Sequence, residues 1–509
     1  MVWIALGLTA ETLTFCTVGF TWLRAMGYTH AEAGAGAVIS LFMVLSLTHQ
    51  LCLFVGSAWP AIILESAGMA AVFIFYRRWL PRLGVAVVSM VDLFRREALS
   101  AVTIAMAGVL MVGLMIAGWR SVPVLPPGDP WSQLLAGWHL GGRLELAGLA
   151  PMPVLNTSAL FFHTARFGLG PGACGFGLLA YLAVGASTYA LARRYAWPPM
   201  ALTVSLMVLS MPRLVFLGLY PSTELIHSAA IAFALVLVYR LVEQHQPADL
   251  GLWLLCMLFS INADPMSIAL VPVMVILLVV VMIRRHGWLQ WREMVASHLP
   301  LTALVLLLCL GLAQLPVCLI NLAHGHPPFG ATVTVENEGI VIALANLVRY
   351  FFISVDPTEP IRQTLAWLVG LDLSRLLAGT YNLLVAPIFM LADVKAPFSP
   401  VLSGHGQMGF GPFAALLVLP AMIHTLLRGP RRLKALSVAW MGYLYLAALL
   451  VRWHPGNLTI LSPLFAANGF MVAFSLPPWR LRKRGMRLLQ ADFALLLVWS
   501  IVVGGWPSG

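Results

Sequence analysis

The residues able to do chemistry in this sequence sit in short polar stretches between long apolar runs. The stretch VPVLPPGDPWSQLLAGWHLGG carries Asp129 just beyond an apolar run, followed by Pro130 and Trp131, and then by His139, Arg143, Glu145 and Asn156. A carboxylate among aromatics at a membrane edge can hold its proton more tightly and serve as a base. The same carboxylate would cap a helix beginning near Trp131, and the two roles are compatible. LYPSTE at 219–224 presents a second carboxylate, Glu224, at the start of the next apolar run. A helix N-terminus also favours negative charge there. In NADP at 262–265, Asn262 and Asp264 interrupt an apolar stretch, and Pro265 marks a turn. NLAHGHPPFG at 321–330 opens on Asn321 and sets His324 and His326 around a glycine. With no third ligand at a metal spacing, this pair suits phosphate contact or a plain loop better than a metal. RWHPGN at 452–457 offers Arg452, a planar donor fork for phosphate, and His454. An interfacial Arg–Trp anchor explains that stretch equally well. Arg349, in the semi-apolar stretch 340–354, completes the candidate cations.

The elements that must position these residues are membrane helices. The chain has 509 residues, 60% hydrophobic and 10% charged, with a mean hydropathy of +0.90. A soluble domain carries roughly 25% charged residues. The apolar runs are continuous rather than alternating, so they predict helices and exclude a barrel. About 14 spans are expected: 3–22, 34–54, 58–76, 98–118, 173–192, 199–218, 223–241, 249–264, 266–283, 299–320, 409–427, 435–451, 458–475 and 489–506. The stretch 249–283 reads as one long element or as a hairpin of two short ones. The first run has no basic segment or cleavage site before Arg24, which predicts a retained helix.

Basic clusters at Arg77/Arg78/Arg82, Arg95/Arg96, Arg193/Arg194, Arg284/Arg285, Arg428–Lys434 and Arg480–Arg487 all fall on one side of these spans. The positive-inside rule makes that side cytoplasmic and sends both termini outward. Two long outer loops remain, 119–172 and 321–408. The stretches 340–354 and 377–394 of the second are short for spans and read as interfacial or re-entrant helices. The fold expected is therefore all-α, a polytopic transmembrane helix bundle. Its parts are N-terminal helices (1–97), a core with the outer loops (98–475), and a basic loop with a final helix (476–509).

The net charge of +11 lies in loop clusters rather than on a basic face interleaved with aromatics, so nucleic acid is excluded as a partner. Cys16, Cys52, Cys174, Cys256, Cys309 and Cys318 show no metal or pairing pattern and read as small packing residues. No Walker loop, dinucleotide glycine pattern, HExxH or GxSxG occurs. Few intramembrane charges and no inverted repeat argue against a transporter.

In order, these features resemble the GT-C class of membrane glycosyltransferases, in particular its mannosyltransferase-like and arabinosyltransferase-like bacterial branch. The resemblance covers 98–475. DPWSQLLAGWHLGGRLELAGLAPMPVLNTSAL resembles the family's first outer loop through Asp129, Trp138, the glycines near 141 and Pro153. MPRLVFLGLYPSTELI resembles its second outer hairpin through Glu224. CLINLAHGHPPFG matches its later loop at Asn321, Gly325, Pro327 and Gly330. GFGPFAALLVLP at 409–420 and NLTILSPLFAAN at 457–468 resemble two further family segments.

The chain departs from the family at His405–Gln407, where relatives carry a carboxylate pair. It departs again at Asn457 and Ile320, where they carry arginine, and near Asp264, where a lysine is usual.

The resemblance implies an inverting glycosyltransferase of the bacterial inner membrane, active on its periplasmic face. The donor would be a polyprenyl-phosphate-linked sugar and the acceptor an envelope glycan, lipid or protein. Asp129 and Glu224 would be catalytic. His139, Arg143, Asn156, Asn321, His324, His326, Arg349, Arg452 and His454 would bind substrate. The resemblance implies no definite cofactor and allows a divalent cation held with the help of Glu224. The missing family charges define the alternative, a non-catalytic membrane subunit of the same fold that binds lipid or a partner membrane protein.

Overall fold

The computed structural model describes residues 2–57, 59–72, 154–167, 170–244, 246–264, 267–297, 311–328, 339–356, 359–390, 413–451, 455–476 and 483–504, with isolated positions at 74, 84–85, 88, 108–109, 308, 398–399, 409–411 and 453. Among these residues the fold is helical and has no strand. The principal helices are α1 (Val2–Ala25), α2 (His30–Val55), α3 (Trp59–Val72), α4 (Asn156–Ala165), α5 (Cys174–Ala192), α6 (Pro198–Leu209), α7 (Pro212–Leu219), α8 (Thr223–Gln244), α9 (Pro247–Ile261), α10 (Ser267–Ser297), α11 (Leu315–Ala323), α12 (Ile340–Val355), α13 (Glu359–Val369), α14 (Leu373–Thr380), α15 (Leu419–Arg428), α16 (Arg431–Leu450), α17 (Leu461–Asn468), α18 (Met471–Ser475) and α19 (Lys483–Gly504).

Five helices among the described residues are long and apolar enough to cross a membrane, or six if the bent pair α6–α7 counts as one span. The described residues alone do not test the expected count of fourteen, and the expected span 98–118 falls almost wholly outside them.

At the centre stands α8. Between Ala229 and Val238 it is apolar on every face and enclosed, as a helix stretch without a polar stripe must be when its neighbours surround it. It packs against α2, α5, α9 and α17. Charged residues from α2, α5, α8, α9 and α16 meet at one end of this bundle, the arginine-rich end.

Two local departures from the expected elements, at 199–218 and 156–165, have plain causes. The run 199–218 is not one helix: α6 and α7 meet at a 69° bend. Pro212 has no N–H to continue α6, and Met211 before it is extended (φ −64°, ψ 121°). Partners from elsewhere satisfy the interrupted backbone. The Tyr181 hydroxyl donates to the Leu209 carbonyl, and the Arg213 N–H donates to Gly409 O at 3.1 Å. The stretch 249–283 takes the hairpin form of its two expected readings, with α9 ending before Asn262–Asp264 and α10 beginning at Ser267. Residues 156–165 were expected in an outer loop, yet they form α4, every residue of which is buried, packed against α2. The semi-apolar stretch 340–354 is the 16-residue helix α12, shorter than a full span.

Gly411 shows how tightly the bend is held. Its φ is +77°, and a Cβ there would lie 3.0 Å from Pro212 Cδ. Gly411→Ala is expected to lower stability by about 1–3 kcal/mol, combining left-handed strain with the contact on Pro212. Thermal unfolding in detergent measures it, and a variant as stable as wild type would refute this account of the bend.

Candidate functional site

Of the predicted site residues, Asp129, His139, Arg143, Arg452 and His454 lie outside the described residues, as does Glu145. The others fall into separate groups at positions away from the arginine-rich end.

Glu224 opens α8, as its helix-start position predicts, but its carboxylate is not open to solvent. Oε1 accepts from Arg213 Nε at 2.7 Å and Oε2 from Arg213 Nη2 at 2.6 Å, a bidentate fork. The Ser462 hydroxyl of α17 also donates to Oε1. Both side chains of the pair are under 10% exposed. Three donors occupy this carboxylate, so it is engaged within the fold rather than open to a substrate. The bend at Pro212 is what turns Arg213 toward it.

Asn156 is the most connected of the predicted residues. Its Nδ2 donates to Phe259 O at 3.0 Å and Leu312 O at 2.8 Å. Its Oδ1 accepts from Gln50 Nε2, and its carbonyl accepts from Ser46 Oγ at 2.8 Å. Asn262, which the sequence marks only as a turn residue, joins it. Asn262 Oδ1 accepts from Leu155 N at 2.7 Å, Asn262 O accepts from Asn156 N at 2.9 Å, and Asn262 Nδ2 donates to Ala313 O at 2.9 Å. These amides satisfy backbone groups that the ends of α9 and α4 leave open, in a place where water is scarce.

Asn321 ends α11 and closes the histidine loop on itself. Its carbonyl accepts from His324 N and His326 N, and its Nδ2 donates to Pro328 O at 3.0 Å. Gly325 supplies the positive φ this tight return needs. His324 Nδ1 lies 2.7 Å from Ile320 O of its own helix. The two histidines are partly exposed and remain a loop feature.

Arg349 of α12 is fully buried in an aromatic box. Its guanidinium lies 5.4 Å from the Trp453 ring and 5.7 Å from Phe398, within cation–π range, and Nη1 donates to Asn346 Oδ1 at 3.1 Å. Trp453 stands between Arg452 and His454 in sequence, and those two residues lie outside the described ones.

Sequence reasoning missed Arg213, Gln50 and a cluster formed by His49, Glu65, His163 and Arg166. The signal was present as isolated polar residues inside apolar runs, of which Glu65 in WPAIILESAG is the clearest.

A groove of about 840 Å³ opens at the arginine-rich end between α2, α5 and α6. Its walls include Val38, Leu182 and Leu209, and its mouth carries Glu32, Arg193 and Arg194. It lies away from Asn156 and Glu224.

No family model, curated protein or solved structure matches this chain.

Proposed function

We propose that the chain is an integral membrane glycosyltransferase of the bacterial inner membrane. It takes a sugar from a polyprenyl-phosphate donor and passes it to an envelope glycan, lipid or protein acceptor on the outer face. The sequence resemblance over 98–475 supports this reading. The observation that carries it is the anchoring of Leu155 and Asn156 by α2, α9 and the 312–313 backbone. Leu155 and Asn156 lead into α4, the helix that follows the Asp129 stretch in sequence. The positive-inside rule makes the arginine-rich end cytoplasmic, so the loop works outside.

In the reaction, Asp129 accepts the proton of the acceptor hydroxyl. The hydroxyl oxygen bonds to the anomeric carbon as the carbon–oxygen bond to phosphate breaks, and polyprenyl phosphate leaves with the electron pair. The phosphate charge is offset by cations of the outer loops, His139, Arg143, Arg452 and His454, with Arg349 and Trp453 holding the last of these loops. Glu224 keeps Arg213 and Ser462 in register instead of moving a proton.

Deletion-strain complementation, read by mass spectrometry of envelope glycans and glycolipids, tests this. Asp129→Asn, equally expressed, is expected to lose about 10²–10⁴-fold in transfer. Equal restoration by wild type and variant would overturn Asp129 as the base. A second reading, a non-catalytic subunit of the same fold, is favoured by one observation, the full engagement of Glu224 by Arg213 and Ser462. It predicts no sugar missing from the deletion strain.

A further inference from the structure

Three helices bring ionisable side chains together beside the Asn156 network. Glu65 of α3 reaches between His49 of α2 and His163 of α4. Its Oε1 lies 3.2 Å from His163 Nδ1 and 3.6 Å from His49 Nε2. Its Oε2 accepts from Arg166 Nη2 at 2.5 Å. The ligand atoms of His49, Glu65 and His163 all lie within 4.8 Å of one another.

Hydrogen-bond bookkeeping at His49 shows what the cluster needs. His49 Nδ1 lies 2.6 Å from the Leu45 carbonyl oxygen. A carbonyl only accepts, so Nδ1 carries a proton, and the neutral imidazole has a bare lone pair at Nε2. That Nε2 is buried and has no hydrogen-bond partner. It faces a carboxylate oxygen, lone pair to lone pair, and only a cation between them makes the contact favourable.

The spacings suit a metal ion. Bonds of about 2.0–2.1 Å at tetrahedral angles put ligand atoms about 3.3–3.4 Å apart. The two spacings to Glu65 Oε1 bracket that value. Arg166 takes the other carboxylate oxygen, the way an outer neighbour orients a ligating carboxylate. An ion would replace the hydrogen bond that Oε1 now makes with His163 Nδ1 at 3.2 Å, and it would displace Arg166 Nη2 from its 3.4 Å contact with the same nitrogen. Glu11, whose Oε1 is buried without a hydrogen-bond partner, lies close enough to interact electrostatically with Glu65 and Arg166, and it adds a second carboxyl group to the neighbourhood. Glu65 keeps some exposure, at 12%, which gives an ion a way in.

We propose that His49, Glu65 and His163 bind a divalent transition-metal ion, with Zn²⁺ the best match to two imidazoles and one carboxylate. Softer thiolate sites and all-oxygen Mg²⁺ or Ca²⁺ sites have different donor sets. The ion ties α2, α3 and α4 together at one point and leaves a fourth coordination position for water. Its competitor for the same place is a proton on His49.

The test uses the full chain purified in detergent, stripped with a chelator and titrated with Co²⁺ and then Zn²⁺. One equivalent of Co²⁺ should bind with the visible absorption of a four-coordinate ion, and Zn²⁺ should displace it. His49→Gln and Glu65→Gln should each weaken binding by at least about 100-fold, and Arg166→Lys by about 10-fold. Zn²⁺ should raise the Tm of wild type but not of His49→Gln, which shows that the variant is folded and lacks the site. His326→Ala, in the separate histidine loop, should bind as wild type does. Stripped wild type that takes up no Co²⁺ or Zn²⁺ at micromolar concentration overturns the proposal and leaves the proton. Equal binding by wild type and His49→Gln overturns it as well.

Discussion

Arg213→Ala should destabilise the protein by about 3–5 kcal/mol, because it leaves the Glu224 carboxylate buried and uncompensated. The pair is bidentate and scarcely exposed, so water cannot replace the lost donors cheaply. Among the described residues Ser462 remains to donate to Oε1. Removing both charges should behave differently. Arg213→Met combined with Glu224→Leu should recover most of the loss, since two apolar side chains of similar size carry no desolvation penalty. Thermal unfolding in detergent measures the cycle. A double variant as unstable as Arg213→Ala would show that the bend, and not the charge pair, carries the energy. The cycle also bears on mechanism. If Glu224 is a positioning residue, the double variant should retain part of its transfer activity, whereas loss of a reacting carboxylate would abolish it.

Arg240→Ala should be comparably severe, at about 3–5 kcal/mol, but resistant to simple rescue. Arg240 is 1% exposed and lies between two carboxylates, with Nε 3.3 Å from Asp249 Oδ2 and Nη1 3.5 Å from Glu32 Oε2. Its guanidinium also lies 3.5 Å from the Tyr28 ring centroid, while the Tyr28 hydroxyl donates to Asp249. Glu32 has other support. Arg194 Nη2 donates to it at 2.7 Å and the Thr29 backbone N–H at 2.9 Å, the latter half of a reciprocal cap at the start of α2. Among the described residues Asp249 keeps the Tyr28 hydroxyl, so it is the group that loses most. Asp249→Asn should therefore restore more of Arg240→Ala than Glu32→Gln does. The opposite ranking in unfolding temperature would mean that Glu32 is the main counter-charge.

What the sequence shows and hides follows from range. Continuous apolarity gave α2, α5, α8 and α16 to within a few residues, because in lipid a helix is the only way to satisfy an isolated backbone. Pro212 was visible as a residue, but its bend depends on Tyr181 and Gly409 waiting to take up the freed backbone groups, and neither is near in sequence. Residues 156–165 read as loop because their polar content is local information, while their burial comes from Ser46, Gln50 and Asn262. Glu224 was found from its helix-start position, yet the partner that engages it is the second residue of α7, turned toward it just after the bend. His49, Glu65 and His163 were each legible as polar residues in or beside apolar runs. That they meet is tertiary information that no spacing encodes.

The Arg213–Glu224 pair also bears on how the chain is made. The two residues are 11 apart, whereas Ser462 comes 238 residues after Glu224. Synthesis therefore releases α7 and α8 into the bilayer long before α17 exists to cover that side of α8. Until then the carboxylate faces lipid or early helices, where a bare charge is costly. An arginine that emerges just ahead of it neutralises it within one hairpin, so α8 can enter the membrane as a net-uncharged unit at this end. The late serine then adds a hydrogen bond to a pair that is already formed.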